Sequence, residues 1–248
     1  MRTVTPFSRV LAYAAFEARG FLRNGEQILV AIVLPALALL GLGVADIVSL
    51  ELHGARRIDV VTPGVLALAI VSSSFVSQAI ATAFDRRWGV LRQLSTTPLG
   101  APGIVLGKVV ATLSVQVIQV LVLSAIALGC GWRPDLAGLA PAFLGWIVGS
   151  VAFTSLGLIV ASAMRAEAVL AVANLAWVIF AAVGGLILPP TATTLALGWT
   201  SWLPTGALGD LLRAALGSGA WAGSAFAVLG VWGIFLLAVA ARRFRPSE

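Results

Sequence analysis

Six stretches of the chain carry no Asp, Glu, Lys, Arg or His and are apolar almost throughout: 28–45, 64–84, 109–130, 139–164, 168–188 and 220–241. Each nears or exceeds the roughly 20 residues with which an α-helix crosses a ~30 Å hydrocarbon layer. The pattern predicts an all-α integral membrane protein with six transmembrane helices. A further apolar piece between Pro189 and Pro204 is bounded by prolines and interrupted by Gly198. It is too short to cross, so 189–219 reads as an outer re-entrant or interfacial segment before the last span.

Ahead of the first span the period changes. Thr5 and Pro6 form an N-cap and first-turn pair, because proline lacks only an N–H that would be unpaired there anyway. Phe7, Val10, Leu11, Ala14, Ala18, Phe21 and Leu22 then recur at helical spacing, with Arg9, Arg19 and Arg23 on the opposite side. Asn24 and Gly25 are expected to stop this helix, glycine by accepting the left-handed conformation. A basic amphipathic helix over 5–24 lies in the plane of a membrane interface. Two readings fit it: an anchor on the lipid surface, or a lever joining the spans to a partner. The first 27 residues lack the layout of a cleaved secretory signal and are expected to stay in the mature protein.

Composition agrees with this reading and charge orients it. Of the 248 residues 60% are hydrophobic and 10% charged, which is far from a soluble domain. Of sixteen Lys and Arg residues, twelve fall on the side of both termini and of the 85–108 connection. Arg56, Arg57, Arg133 and Arg213 are the four on the other side. Positive charge collects in the cytoplasm, so both termini are expected there. The net charge of +6 then reflects topology and anionic-lipid contact, and a nucleic-acid partner is not expected. A single lysine among those basic residues fits a GC-rich bacterial genome, hence a bacterial plasma membrane.

The chemistry the chain can perform is narrow. One cysteine, Cys130, excludes an internal disulfide or a cysteine metal cluster, and His53 reads as a solvated loop residue. Spans without ionisable groups offer no proton relay or acid–base pair, so neither catalytic nor metal residues are expected. The polar side chains at depth are Ser72, Ser73, Ser74, Ser77 and Gln78 in the second span and Gln116 and Gln119 in the third. They suit helix–helix hydrogen bonding, and Ser73, Ser77, Gln78, Gln116 and Gln119 are also the candidates for a translocation path. Gly145 and Gly149 permit close helix packing, and Pro35 is placed to kink the first span. Trp132, Trp199, Trp202 and Trp221 fit an outer aromatic belt. Asp210 and Arg213, three apart, are expected to pair at the surface and close the outer side.

The connection "FDRRWGVLRQLSTTPLGAPGIVLGK", residues 84–108, is basic and turn-ended. Trp88, Leu91 and Leu94 fall three apart and suggest one apolar ridge, flanked by Arg86, Arg87 and Arg92. Thr97 and Pro98 end the short helix, and Gly100, Pro102 and Gly103 are expected to turn the chain back. An ordinary positive-inside hairpin and a docking helix both fit this pattern.

"GVLRQLSTTP", 89–98, resembles the segment after the second span of type-2 ABC exporter permeases. "LGK", 106–108, stands where that family has it, at the start of the third span. "LILPP", 186–190, and "PTGALGDLLR", 204–213, are similar to its turn after span five and its signature before the last span. The resemblance implies one permease domain over 1–248 that pairs with a second permease chain. It further implies separate cytoplasmic ATPase subunits that hold ATP and Mg, with no cofactor on this chain. It makes 85–98 the coupling helix, with Asp85, Arg86, Arg87, Trp88, Gly89, Leu91, Arg92, Leu94, Thr97 and Pro98 as its contacts. The family often has acidic residues where Arg87 and Arg92 stand, so the docking charges are reversed here. The absence of a GxxxxGK[ST] loop agrees that ATP is handled elsewhere. The implied activity is export of a hydrophobic drug, antibiotic or lipid-linked molecule. A passive channel or carrier, and a membrane anchor for another enzyme, stay open on the residues alone.

Overall fold

A computed structural model describes residues 5–45, 56–187 and 198–243. His53, Arg2, Pro189, Pro190 and Arg245 lie outside the described residues. Nine longer helices, two short 3₁₀ turns at Leu136–Gly138 and Gly198–Trp202, and no strand occur among those described. α1 is Pro6–Arg23. α2 covers 25–43, as Gly25–Ile28, a π-helical stretch Leu29–Val33 and Leu34–Gly43. α3 is Arg57–Arg87, widened into a π-helix at Ser72–Ser77. α4 is Val90–Ser95, α5 Gly100–Gly129, α6 Leu139–Ala163, α7 Ala166–Ala182, α8 Pro204–Ser218 and α9 Gly223–Arg243.

Four helices, α3, α5, α6 with its leading turn, and α9, are long and apolar enough to cross a membrane, and shorter apolar helices lie in α2 and α7. α3 is the hub. In its most apolar window 89% of residues are buried, against 22% for α9. It packs on α2, α5, α6, α7 and α8, whereas α9 leans chiefly on α6.

Several expectations need correction. α3 runs past both ends of its apolar window and α5 begins nine residues before its own, so Asp85 and Arg86 continue the second span's helix rather than belonging to a separate coupling helix, and Lys108 lies in the third turn of α5. Asn24 is extended and alone breaks α1, while Gly25 opens α2 without a positive φ. Of the three residues expected to turn the chain before α5, only Gly100 has a left-handed φ, of 66°; Pro102 and Gly103 already sit in the first helical turn. Trp132 is buried in the core rather than in a surface belt, whereas Trp199, Trp202 and Trp221 are exposed.

The outer segment is described from Gly198 onward. Its second half is a regular helix, α8, buried along Leu208, Leu211, Leu212 and Ala215 between α3, α6 and α9. Gly145 and Gly149 of α6 do give close packing, and what enters is α8: Leu211 and Leu208 occupy the space a Cβ would need. Leucines filling glycine notches raise dispersion contact at the closest helix crossing.

The two groups of basic residues separate in space. Arg9 bonds the Pro98 carbonyl, Arg86 the Ser162 and Met164 carbonyls, and Arg87 pairs with Glu167, all at the end carrying α4. Arg56 reaches the Gly131 carbonyl and Asp59 accepts from the Arg133 amide at the opposite end.

Candidate functional site

Three charged side chains meet at the α4 end. Lys108 of α5 is fully buried, and its Nζ donates to Glu17 Oε1 of α1 at 2.9 Å and to Asp85 Oδ2 of α3 at 3.2 Å. The Tyr13 hydroxyl donates to the same Glu17 oxygen at 2.5 Å. Burial, then the Glu17 charge, pushes the Tyr13 phenol well above its ordinary value, so it remains the proton donor. The group thus ties three helices at one point.

Local sequence explains the meeting. Gly107 leaves room for Tyr13, whose ring lies 2.3 Å from where a Cβ would stand. The glycine of "LGK" therefore admits α1 and the lysine fastens it. Next to this node Tyr13, Leu91, Ile104, Val105 and Leu158 form an apolar cluster, with Leu94 and Leu99 against it. α4 is seated by Leu91, which is 2% exposed.

Trp88, Leu91 and Leu94 consequently do not form one outward ridge. Gly89, at φ 76°, reverses the chain between α3 and α4. Leu91 and Leu94 turn toward the helices, while Trp88 stays 71% exposed and its ring lies 5.3 Å from that of Phe84. The outward face instead carries Trp88, Arg92 and Pro98, with Arg87 held by Glu167 in a pair exposed on both sides. Arg86 turns inward to the end of α6, and the Thr97 hydroxyl caps α4 on the Leu94 carbonyl at 2.6 Å.

The span glutamines join helices. Pro35 has no N–H for the Ala31 carbonyl, and Gln119 Nε2 donates to that oxygen at 2.6 Å. In the π-helix of α3, Ser73 and Ser74 donate to the carbonyls of Ala69 and Ile70, and Gln116 Nε2 donates to the Ile70 carbonyl and Ser73 Oγ. Gln116 Oε1 accepts from Trp146 at 2.6 Å and Ser150 at 2.7 Å. Widened helical turns in an apolar layer are tolerated when side chains satisfy the backbone they free. Gln116 and Gln119 do this for α3 and α2 respectively. Ser77 bonds within its own helix, to the Ser72 carbonyl. Gln78 and Ser73 border a cavity of about 10 Å³ with Glu17 and Thr112, the space of one water.

At the opposite end Arg213 is largely withdrawn from the surface, its side chain 12% exposed and that of Asp210 29%, where an exposed pair was expected. It donates to Asp210 Oδ1 at 2.8 Å and to the carbonyls of Gly185 at 2.7 Å and Leu186 at 2.9 Å. It thereby fastens α8 to the chain leaving α7. Its five donors suit a run of otherwise open carbonyls.

The sequence reading missed Glu17 and Tyr13. The available signal was Glu17 itself, a lone carboxylate within 5–24 on the apolar side of α1. A charge in that position requires a buried partner. Cys130 ends α5 and is exposed. No group of His, Cys, Asp and Glu among the described residues could hold a metal ion.

The family model described as ABC-2 type transporter matches residues 9–213, a stretch from α1 through Arg213 of α8. No curated protein matches the chain. That family is a membrane transport domain and not itself catalytic. That match takes in well over half of the 248 residues, and the chain belongs to the ABC-2 type transporter family.

Proposed function

We propose that this chain is the permease subunit of an ATP-driven exporter, with α2, α3, α5, α6, α7 and α9 as its six spans. In this reading both termini and α4 are cytoplasmic in a bacterial plasma membrane. α8 is the outer re-entrant element, and a second permease chain completes the pathway. Separate ATPase subunits bind ATP and Mg and dock below α4. The cargo is a hydrophobic drug, antibiotic or lipid-linked molecule, since the helices present it no ionisable side chain in their apolar middles.

The observation that carries the reading is the Lys108–Glu17–Asp85 node beside the seat of α4. A docking surface can do work on spans only if it cannot move independently of them. Leu91 buries α4 against α1, α5 and α6, and the node locks α1, α3 and α5 beneath it. A displacement of α4 is therefore delivered to three helices together. The corrected docking face is Trp88 as apolar anchor, with Arg92 and Arg87 beside it. Asp85, Leu91 and Leu94 act from behind, and Gly89, Thr97 and Pro98 set the turns at either end.

The decisive experiment is reconstitution with a cassette ATPase identified by co-purification with the chain. Cargo should accumulate in inverted vesicles only when ATP is supplied, and inactivating the ATPase should abolish this while the chain remains inserted. Concentrative transport by the chain alone would overturn the reading.

A further inference from the structure

α5 and α9 both pack on α6 but meet each other only weakly. Between them runs a groove of about 350 Å³, walled by Ala101, Val105 and Val109 of α5, Val151 of α6, and Leu237 and Ala241 of α9. The α5 positions are four apart and stack along one face, so the groove follows the helix axis. It starts at the first turn of α5 and the last turn of α9, and it ends near the middle of α6. Every side chain bordering it is apolar.

The mouth differs from the walls. Ala241 is followed by Arg242 and Arg243, both exposed in the last turn of α9. No carboxylate pairs with either among the described residues. Neither arginine lines the groove, but both stand at the level where it ends; an apolar slot rewards a hydrocarbon chain, and two exposed cations at that level reward a phosphate in the adjoining headgroup layer. A second copy of the chain suits the face poorly. A two-fold contact there would set Arg242 and Arg243 of each copy against those of the other.

We propose that this groove binds an anionic phospholipid, with one acyl chain between α5 and α9 and the headgroup phosphate at Arg242 and Arg243. The site requires only that this end of the bundle meets a headgroup layer, and so depends neither on the export reading nor on its orientation.

The test titrates the purified full chain in detergent with dioleoyl phosphatidylglycerol or dioleoyl phosphatidylcholine and reads bound lipid by native mass spectrometry. The anionic lipid should be retained on the order of tenfold more tightly, the scale of one to two arginine contacts. Arg242→Gln with Arg243→Gln should bring the two lipids to near parity. Leu106→Trp, which fills the groove from an exposed position, should weaken both. Equal retention of the two lipids by the unmodified chain overturns the proposal, as does an unchanged preference in the double glutamine variant. Because the arginines are exposed, that variant is decisive even where the tryptophan variant fails to fold. If Leu106→Trp separates copies of the chain and leaves lipid binding untouched, the face joins copies instead.

Discussion

Lys108 shows what one buried cation demands of its surroundings. Its ammonium is out of water and compensated by two carboxylates on two other helices. Removing one partner of such a group leaves an uncompensated charge and costs about 3–5 kcal/mol. Lys108→Met should therefore lower thermal stability in detergent sharply, because Glu17 and Asp85 then face each other unpaired. Adding Glu17→Gln and Asp85→Asn to that variant should recover much of the loss, and melting curves of the single and triple variants check it. A triple variant no more stable than Lys108→Met would show that the node contributes no coupling. Tyr13→Phe is milder: it removes one hydrogen bond to a charged oxygen, worth about 1.5–3 kcal/mol, and keeps the ring in the Leu91 cluster. By contrast Arg87 and Glu167 are both more than half exposed, and breaking that pair should cost at most about 1 kcal/mol.

At the scale of elements, the same proline that interrupts α2 dictates where Gln119 bonds. Pro35 leaves the Ala31 carbonyl open, and Gln119 closes it. Pro35→Ala supplies the missing N–H, so Gln119→Leu should cost about 1–3 kcal/mol in the natural chain and clearly less in the Pro35→Ala background. A double-mutant cycle by thermal unfolding measures the difference, and equal costs would refute the link. Here the limit of sequence reading becomes physical. The glutamines, serines and Pro35 were each visible as interruptions of apolar runs, and hydrogen bonding across helices was the natural use for them. Which carbonyl each would meet depends on helix register, which no periodicity encodes. α4 makes the same point in reverse. Spacing grouped Trp88 with Leu91 and Leu94, but Gly89 reverses the chain between them, so the tryptophan points away. On the docking reading, Trp88→Ala should cut ATPase stimulation and complex formation strongly, with a loss of about 2 kcal/mol in binding. Arg92→Glu should change salt sensitivity and partner choice more than affinity. Pull-down with the ATPase at two salt concentrations separates the two effects, and intact binding in both variants would remove α4 from the interface.

For the whole molecule, orientation follows from how charge is divided between the two ends of the bundle. Arg86, Arg87, Arg92, Lys108 and Arg165 lie at the α4 end, while Arg56 and Arg133 sit at the other with Gly131 and Asp59 as their partners. An excess of short-loop arginine resists translocation, so the α4 end is expected to stay in the cytoplasm. The chain contains its own reporter, because Cys130 is the single cysteine, is exposed, and ends α5 at the end away from α4. A membrane-impermeant thiol reagent should label Cys130 in intact cells. In a Cys130→Ser background, a cysteine placed at Ser247 should react only after the membrane is opened. Because the two sites report opposite compartments, a general leak would label both in intact cells, whereas a true inversion would exchange them. Labelling at Ser247→Cys without labelling at Cys130 would place α4 outside the cell, beyond the reach of any cytoplasmic ATPase. The docking role would then be lost, and the lipid groove, which needs only a headgroup layer, would stand.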